Sequence, residues 1–332
     1  MKRALIFKLA AGGAGVFLAG ILVGTAMPQS IGIGALNGEA YEIRLGGKGL
    51  INPLLECEIG KNAIASQKID FTSEMKSFVE GVKSTLGVSD VSVYFRDLNN
   101  GPIVGVNQDG NFAPASLLKV PVLISYLKWA EEKPDVLTEK ILYQAPVNVG
   151  YQQQFAPSVP LEVGTAYTAK ELLEIMIKYS DNQALVLLFK RLPKHYQEEL
   201  YTLLGVDPEL ITDPTARLTI RQYSIFFRVL FNASFLSRTH SEYALDLLTQ
   251  TTFEDGIRAS VPLNIPIAHK FGERKTSGDL QQFHDCGIVY YPNHPYLLCV
   301  MTRGNDVNAL IAAIAQTSEY VYQKIDEQYG SL

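Results

Sequence analysis

The stretch Phe-Ala-Pro-Ala-Ser-Leu-Leu-Lys-Val-Pro, residues 112–121, contains the spacing that decides how the rest of the chain is interpreted. Ser116 and Lys119 are three residues apart, and an apolar run through Trp129 predicts a helix with Ser116 in its first turn. There the helix dipole favours negative charge on the serine oxygen, and the lysine lies on the same face. A serine beside a lysine of lowered pKa is an activated nucleophile. The alternative is a plain helix-capping serine with a solvated lysine, because this short pattern is common.

Two further polar motifs follow along the chain. Ser180-Asp181-Asn182 stands between two predicted helices, where a hydroxyl and a carboxamide can face a cleft. Alone, this motif is equally typical of a helix-to-helix turn. His269-Lys270-Phe271-Gly272-Glu273 ends a strand-like run. A lysine followed two residues later by glycine places a cation beside a strand edge that a substrate backbone can approach.

Hydrophobic periodicity predicts the fold around these motifs. Strands are expected at 91–95, 103–106, 265–271, 286–291 and 296–302, and helices at 71–86, 168–179, 183–204, 219–231, 240–252 and 305–326. Because strands occur at both ends of the chain, the sheet must be assembled from both ends. The prediction is an α/β (α+β) fold, in which an antiparallel sheet has the terminal helices on one face and an all-helical lobe on the other.

The composition is that of a globular protein. The 332 residues are 47% hydrophobic and 19% charged, and a net charge of −5 offers no basic field to a nucleic acid partner. We expect one folded domain over residues 69–332. Its α/β part comprises about 69–115 and 256–332, and its helical lobe about 116–255.

The first 30 residues differ from the rest of the chain. Three basic residues open it, and the stretch Leu9–Met27 that follows is long enough to cross a bilayer as a helix. Basic residues before such a run predict a cytoplasmic amino terminus, so we expect a single-pass cell-membrane protein with an extracytoplasmic domain. A signal peptide cleaved near Gly24–Ala26, with export of the body, is the alternative. Residues 31–68 are interpreted as a tether and lead-in.

Cysteine usage gives no disulfide framework. The three cysteines are Cys57, Cys286 and Cys299, an odd number. Cys286 and Cys299 fall in two predicted strands, and pairing these strands about a turn at 292–295 leaves the two sulfurs diagonal and not opposite. We therefore expect buried thiols. No cysteine has a neighbour at metal-ligand spacing, and neither a metal nor a cofactor is expected.

Taken together and in order, the three motifs resemble those of the penicillin-recognising serine hydrolases, most closely the class A β-lactamase-like branch. The resemblance extends over about residues 70–328 and includes the stretch 112–121 and the strand Gly287-Ile288-Val289-Tyr290. It implies a β-lactamase/transpeptidase-like fold with a five-stranded antiparallel sheet. It also implies an acyl-enzyme mechanism on a β-lactam or on the D-alanyl stem peptide of peptidoglycan.

The resemblance implies a role for each matching residue. In the catalytic set, Ser116 would attack the carbonyl carbon, Lys119 would be the base or would position one, and Ser180 would relay a proton to the leaving nitrogen. The residues implied in substrate binding are Asn182 for the side-chain amide, Lys270 for the carboxylate, Gly272 at the strand edge, and Glu273, whose backbone N–H would form an oxyanion hole with that of Ser116.

Two departures from the family pattern bear on activity. Phe271 stands where the family has Thr or Ser, so a hydroxyl for the substrate carboxylate is lost and we expect the ring to intrude. No Glu-x-x-Leu-Asn segment, the source of the deacylating carboxylate in class A enzymes, occurs between Asn182 and Lys270. Glu209 is the only tempting substitute, and we expect it to be a surface acid. The acyl-enzyme is therefore expected to persist.

Two alternatives to a slow β-lactamase remain open. The missing glutamate favours a D-Ala-D-Ala carboxypeptidase or transpeptidase. Phe271 favours a non-catalytic cell-wall binding module, although the complete set of Ser116, Lys119, Ser180 and Asn182 argues against that alternative. The histidines are scattered and give no Ser-His-Asp triad.

Overall fold

A five-stranded antiparallel sheet forms the centre of the structure, a computed structural model that describes residues 49–52, 71–99, 103–148, 153–211, 213, 215–275 and 280–330. The five strands are β1 Asp90–Asp97, β2 Ile103–Val106, β7 Ile267–Lys275, β8 Gln281–Val289 and β9 Tyr296–Gly304. Their order across the sheet is β2-β1-β9-β8-β7. The remaining short strands form two separate pairs, β3 Asn111–Phe112 with β6 Leu218–Thr219, and β4 Lys140–Leu142 with β5 Ala166–Thr168.

Helices cover both faces of the sheet. They are α1 Thr72–Leu86, α2 Lys119–Glu132, α3 Ala169–Lys178, α4 Asn182–Arg191, α5 Lys194–Leu203, α6 Ile220–Phe231, α7 Arg238–Leu248 and α8 Val307–Tyr329. The terminal helices α1 and α8 share one apolar core with the strand residues Val93 and Val300. The helices between them share a second core with Tyr94 and Cys299. Successive strand residues point to opposite faces, so one sheet supplies both cores.

The predicted architecture is confirmed by the pairing of β1 with β9. All eight residues of β1 face β9, with Val93 opposite Val300, so the centre of the sheet joins the two ends of the chain. A capping box opens α3. The Thr168 hydroxyl accepts the N–H of Glu171, and the Glu171 carboxylate accepts the N–H of Thr168 at 2.7 Å.

Several predicted boundaries were wrong. The single helix expected over 183–204 is two helices, because Leu192 and Pro193 adopt extended backbone and proline has no N–H to continue the ladder. β7 continues to Lys275 and β8 begins at Gln281, beyond the apolar residues that marked the predicted ends. Most of these outer residues are polar, so hydrophobicity did not reveal them, whereas backbone pairing extends to them.

The cysteine prediction was also wrong. Val289 lies opposite Tyr296, so six residues connect β8 to β9, and the register differs by two residues from that of a turn at 292–295. In this register Cys286 lies directly opposite Cys299, and the two form a disulfide. Cys57 lies outside the described residues.

The predicted anchor, residues 1–30, also lies outside the described residues. Within the part of the chain that the structure describes, no helix has both the length and the apolar character needed to cross a membrane. Residues 49–52, placed in the predicted tether, pack on the helical lobe. Leu50 and Ile51 are buried there, and the N–H of Asn52 donates to the carbonyl of Phe231 at 2.6 Å.

Candidate active site

Ser116 lies in a tight turn that precedes α2. The turn is a 3-10 helix, Ala115–Leu118, and the α-helix begins only at Lys119, one turn later than the sequence predicted. Ala115, the residue before the serine, has a φ of 51° in the left-handed region. Non-glycine residues pay a conformational cost there, and such strain concentrates where a structure must aim a reactive side chain. The serine itself is only 4% exposed.

Buried side chains from two other elements hold this turn. The N–H of Ala113 donates to Gln282 Oε1 at 2.9 Å, and His284 Nε2 lies 3.0 Å from the carbonyl oxygen of Ala113. Burial lowers the pKa of His284 to about 4, so the neutral ring donates this bond. The Tyr223 hydroxyl donates to the carbonyl of Leu117 at 3.0 Å. These positioning residues were not predicted from the sequence, although two polar side chains at alternate positions of a buried strand were a usable signal.

Gly272 lets the nucleophile turn approach β7. A β-carbon at this position would lie 3.1 Å from the backbone nitrogen of Leu117 and 3.2 Å from the carbonyl oxygen of Pro114. Any larger residue would therefore push the serine turn away from the strand. The structure thus gives Gly272 a packing function, and its predicted contact with substrate stays a prediction.

The Lys119 amine is the centre of a buried hydrogen-bond cluster. Its Nζ lies 2.8 Å from Ser116 Oγ, 2.7 Å from the Ser180 carbonyl oxygen, 3.0 Å from Ser180 Oγ and 2.7 Å from Asn182 Oδ1. The structure therefore brings together the predicted nucleophile and the three residues that were predicted to act around it.

The surroundings of Lys119 shift it towards the neutral form that a base requires. Burial, followed by the positive charge of Lys270, holds its pKa well below the ordinary value, and the Asp181 and Glu273 carboxylates only partly oppose this. A neutral amine has two N–H groups and one lone pair. The Ser180 carbonyl and Asn182 Oδ1 can only accept, so they take both N–H groups. The lone pair is then left for the hydroxyl proton of Ser116.

Ser180 stands between two lysine amines. Its Oγ lies 3.0 Å from Lys119 Nζ and 2.9 Å from Lys270 Nζ, and the residue has a φ of 54°, in the left-handed region. It follows α3, and Asp181 next to it caps α4 by accepting the N–H of Ala184 at 2.7 Å. The predicted junction between two helices is confirmed, and it turns the serine hydroxyl inward.

Lys270 extends the cluster from β7. Its Nζ donates to Ser180 Oγ at 2.9 Å and to the carbonyl of Phe271 at 3.0 Å, and it lies 4.0 Å from the centre of the Phe271 ring. Burial lowers the pKa of Lys270 to about 7, whereas the Asp285 and Glu273 carboxylates raise it. The amine therefore titrates near neutral pH.

The Phe271 ring contacts the Lys270 amine, as expected of an intruding ring, but its other neighbours lie in the aromatic core on the opposite face of the sheet. Side chains alternate along β7, so Lys270 points to the lobe face of the sheet and Phe271 to the face of the terminal helices. The ring is 4% exposed and lies in an aromatic cluster with Phe155, Phe253 and Phe283, at centroid distances of 4.4 to 6.0 Å. The hydroxyl of the family motif is nonetheless absent.

The carboxylate of Glu273 holds a loop beside the site, a feature that the sequence analysis did not foresee. Its Oε1 accepts the N–H of Phe155 at 3.0 Å, while Gln153 Nε2 donates to the Ser180 carbonyl at 3.1 Å. Burial raises the pKa of Glu273, and the backbone N–H groups and nearby lysines partly offset the rise. The predicted function of its backbone N–H in an oxyanion hole stays a prediction.

His269 and Glu209 complete the list of residues that the sequence singled out. His269 Nδ1 lies 3.0 Å from the buried Asp285 carboxylate, which also accepts the N–H of Ile257 at 2.9 Å. This pairing satisfies the histidine inside the protein. Glu209 lies in the short 3-10 helix Pro208–Ile211 with an exposed side chain, as expected of a surface acid. Among the described residues, no group of three or more His, Cys, Asp or Glu side chains is arranged to hold a metal ion.

Comparisons with known proteins agree with this geometry. A model of the beta-lactamase enzyme family matches residues 72–325, whereas no curated protein matches the chain. A solved structure of a PBP-A mutant in an acyl-enzyme complex with penicillin G superposes with a TM-score of 0.62 at 23% identity, over 79% of this chain and 98% of that chain. The class A beta-lactamase from Mycobacterium abscessus gives a TM-score of 0.64 at 22% identity, over 76% and 99%. A beta-lactamase from Chitinophaga pinensis gives 0.64 at 20%, over 76% and 99%.

At these identities the solved structures establish the fold. The family match spans well over half of the chain and contains all three motifs. With Ser116 and Lys119 in hydrogen-bond contact inside this fold, the chain belongs to the beta-lactamase enzyme family and is a class A beta-lactamase-like serine hydrolase.

Proposed function

We propose that Ser116 forms an acyl-enzyme with β-lactams, or with the D-alanyl-D-alanine stem peptides that they mimic, and that this intermediate is long-lived. The observation that carries the proposal is the 2.8 Å contact between Ser116 Oγ and a buried Lys119 amine of lowered pKa. A hydroxyl in contact with a neutral amine is a nucleophile with its base already in place.

The contacts give each proton a route during acylation. Lys119 accepts the proton of Ser116 as Oγ bonds to the carbonyl carbon. When the carbon–nitrogen bond breaks, the leaving nitrogen takes the hydroxyl proton of Ser180, and Lys119 returns its extra proton to Ser180 across 3.0 Å. Lys119 and Ser180 then have their starting protons. The proton of Ser116 has in effect passed to the leaving nitrogen, and Ser116 is esterified.

Asn182 and Lys270 supply the binding groups of the proposed substrate. Asn182 is well placed for an amide on the substrate side chain, because its carboxamide lies beside Lys119 at the edge of the cluster. Lys270 supplies positive charge for the substrate carboxylate. With Phe271 directed into the aromatic cluster, this cation acts there without the family's hydroxyl.

Release of the acyl group needs a further residue, and the Glu-x-x-Leu-Asn segment that supplies it in class A enzymes is absent between Asn182 and Lys270. Hydrolysis of the ester requires a base to activate water, and such a base typically contributes about 10²–10⁴-fold in rate. Glu209, the acid that the sequence offered, is exposed. We therefore infer that deacylation is slower than acylation by about that factor.

The experiment is covalent labelling with a fluorescent penicillin, followed by intact mass over time. The wild type should gain one penicillin mass that persists after the free compound is removed. Ser116→Ala should not label, whereas Ser125→Ala, the same change at another buried serine of α2, should label normally. Equal labelling of Ser116→Ala, or no labelling of the wild type, would refute the acyl-enzyme. Rapid loss of the adduct would refute only the slow release.

A second candidate function is D-Ala-D-Ala carboxypeptidase or transpeptidase activity, which the exposed position of Glu209 favours. Release of D-alanine from a stem pentapeptide, without turnover of a chromogenic cephalosporin, would establish it. A cell-wall binding module would instead bind muropeptide equally well in the wild type and in Ser116→Ala, with no adduct in either.

We also propose that the domain acts outside the cytoplasmic membrane, either tethered by residues 1–30 or exported after cleavage. The basic residues followed by the apolar run Leu9–Met27 support this, as does the Cys286–Cys299 disulfide, which persists in oxidising compartments. Fractionation of the full chain with amino-terminal sequencing tests it. An intact amino terminus in the membrane fraction indicates a tether, a terminus near residue 27 indicates cleavage, and recovery in the cytosol contradicts both.

A further inference from the structure

A basic cleft opens at the opposite edge of the sheet from Lys270. We define the basic cleft by Lys76 of α1, Tyr94 and Arg96 of β1, Gln108, and Arg221 and Arg228 of α6. It has a volume of about 590 Å³ and lies beside β2, the edge strand farthest from β7 in the strand order. Volumes of this size are typical of sites for small organic molecules.

The three arginines of the basic cleft come from two regular spacings, and the fourth cation, Lys76, comes from α1. Arg221 and Arg228 are seven residues apart on α6 and share one helix face, with the apolar Ile225 between them. Tyr94 and Arg96 are two residues apart on β1 and share the lobe face of the sheet. The helix face and the strand face therefore present their guanidinium groups to the same space.

These charges are poorly neutralised by the protein. Among the described residues, no carboxylate lies within ion-pair distance of Arg96 or Arg228, and Asp109 approaches only Arg221, at 3.9 Å with both side chains mostly exposed. The two arginines also repel each other. Burial, followed by the charge of Arg96, lowers the pKa of Arg228, and only the contact with Tyr94 opposes this. The whole chain has a net charge of −5, so this group of positive charges without ion-pair partners is confined to the basic cleft.

We propose that the basic cleft binds an organic phosphate, with the phosphate group between Arg96 and Arg228. Guanidinium groups bind phosphate oxygens in pairs, and a multiply charged anion suits four cations better than a single carboxylate does. Ile103 and Ile225 line the same space and provide apolar contact for the organic part. The phosphate can come from a soluble ester or from the headgroup of an anionic lipid, which share this chemistry.

Calorimetric titration of the protein with glycerol 3-phosphate and with inorganic phosphate tests the site. One saturable site is expected on the wild type, with glycerol 3-phosphate the tighter ligand. Arg228→Gln should weaken binding at least about tenfold, the effect of losing one charge-assisted interaction. The matched control is Arg191→Gln, which removes the same charge from a residue that pairs with Glu139 outside the basic cleft. It should leave binding unchanged, and neither variant should alter penicillin acylation.

Lys76→Gln provides a second variant at an exposed position that cannot compromise folding, and it should weaken binding in the same direction. Sedimentation with phosphatidylglycerol vesicles, compared with phosphatidylcholine vesicles, separates the two sources. Greater sedimentation with phosphatidylglycerol than with phosphatidylcholine, with the excess abolished in Arg228→Gln, assigns the site to a lipid headgroup, whereas binding of glycerol 3-phosphate without this excess assigns it to a soluble ester. The absence of saturable binding in both assays, or equal weakening by Arg228→Gln and Arg191→Gln, would overturn the proposal.

Discussion

The cluster around Lys119 and the segment 205–217 differ in how their polar groups are used. In the cluster, one buried amine contacts four oxygen atoms of three residues at 2.7 to 3.0 Å. In the segment, the acids Asp207, Glu209 and Asp213 are all exposed. The cluster contains the serine, the amine and the second serine hydroxyl that our proposal uses for acylation, whereas the segment offers no buried carboxylate for deacylation.

This difference shows that acylation and deacylation are separate demands on the same fold. Acylation needs a desolvated amine, and the two cores that meet at the sheet provide the burial. Deacylation additionally needs a carboxylate held near water. A chain can retain the first while it lacks the second, because different segments supply them.

Among the variants that test this difference between the cluster and the segment 205–217, Lys119→Met should have the largest effect, and it should act on acylation. Methionine has a similar length but cannot accept the Ser116 proton, so the acylation rate constant should fall by about 10⁴-fold, the upper range for loss of a general base. Stopped-flow fluorescence with a labelled penicillin measures it, and the thermal midpoint confirms that the variant is folded. An acylation rate within tenfold of the wild type would show that Lys119 is not the base.

A smaller effect, mainly on stability, is expected from Phe271→Thr. This change restores the family's hydroxyl but removes a buried ring from the aromatic cluster, and it should cost about 3 kcal/mol in the free energy of unfolding. Because a side chain at this position points to the face of the terminal helices, acylation should change little. Deacylation should stay slow, since no carboxylate is added. Urea unfolding and the two rate constants measure this. Phe189→Thr is the matched control at a residue that is 39% exposed, and it should cost far less. Faster deacylation in Phe271→Thr would contradict the inference that slow deacylation comes from the missing carboxylate.

The pH dependence of acylation should reveal both lysines. The rate rises with pH as Lys119 loses its proton, because only the neutral amine accepts one. It falls above pH about 7 as Lys270 loses its charge and its hold on the penicillin carboxylate. The fall should reach about tenfold, as for one hydrogen bond to a charged group. Penicillin methyl ester, which lacks the carboxylate, should show no alkaline fall. An identical fall with the ester would contradict the function given to Lys270.

The smallest effect is expected from Glu209→Gln. An exposed acid with no contact to the cluster should change the deacylation rate by no more than about twofold, the usual range for surface substitutions. Loss of adduct over time, followed by intact mass, measures it. A tenfold slower release would show that Glu209 reaches the ester, and the segment 205–217 would then be part of the active site.

The sequence predicted the order of the elements and the four residues at the nucleophile, because each depends on local spacing. Ser116 and Lys119 share a helical face, and Ser180 and Asn182 flank a helix start, so short-range geometry places them. The sheet followed from strands at both ends of the chain.

Features that depend on register and long-range packing could not be predicted. A shift of two residues between β8 and β9 decides whether Cys286 faces Cys299. The side of the sheet that Phe271 faces follows from the alternation of side chains along β7. The hydrogen bond from the N–H of Phe155 to the Glu273 carboxylate joins residues more than a hundred positions apart. Gln282 and His284 hold Ala113 across a similar distance.

The pairing of β1 with β9 also sets the order of events when the chain is made. β1 ends at Asp97 and its partner begins at Tyr296, so β1 has an open edge until nearly the whole polypeptide has been synthesised. Contacts between such distant segments form late and slowly. The sheet of this chain is therefore complete only when its last strand is available. The Cys286–Cys299 link joins neighbouring strands only 13 residues apart in sequence, so it can form before β1 docks.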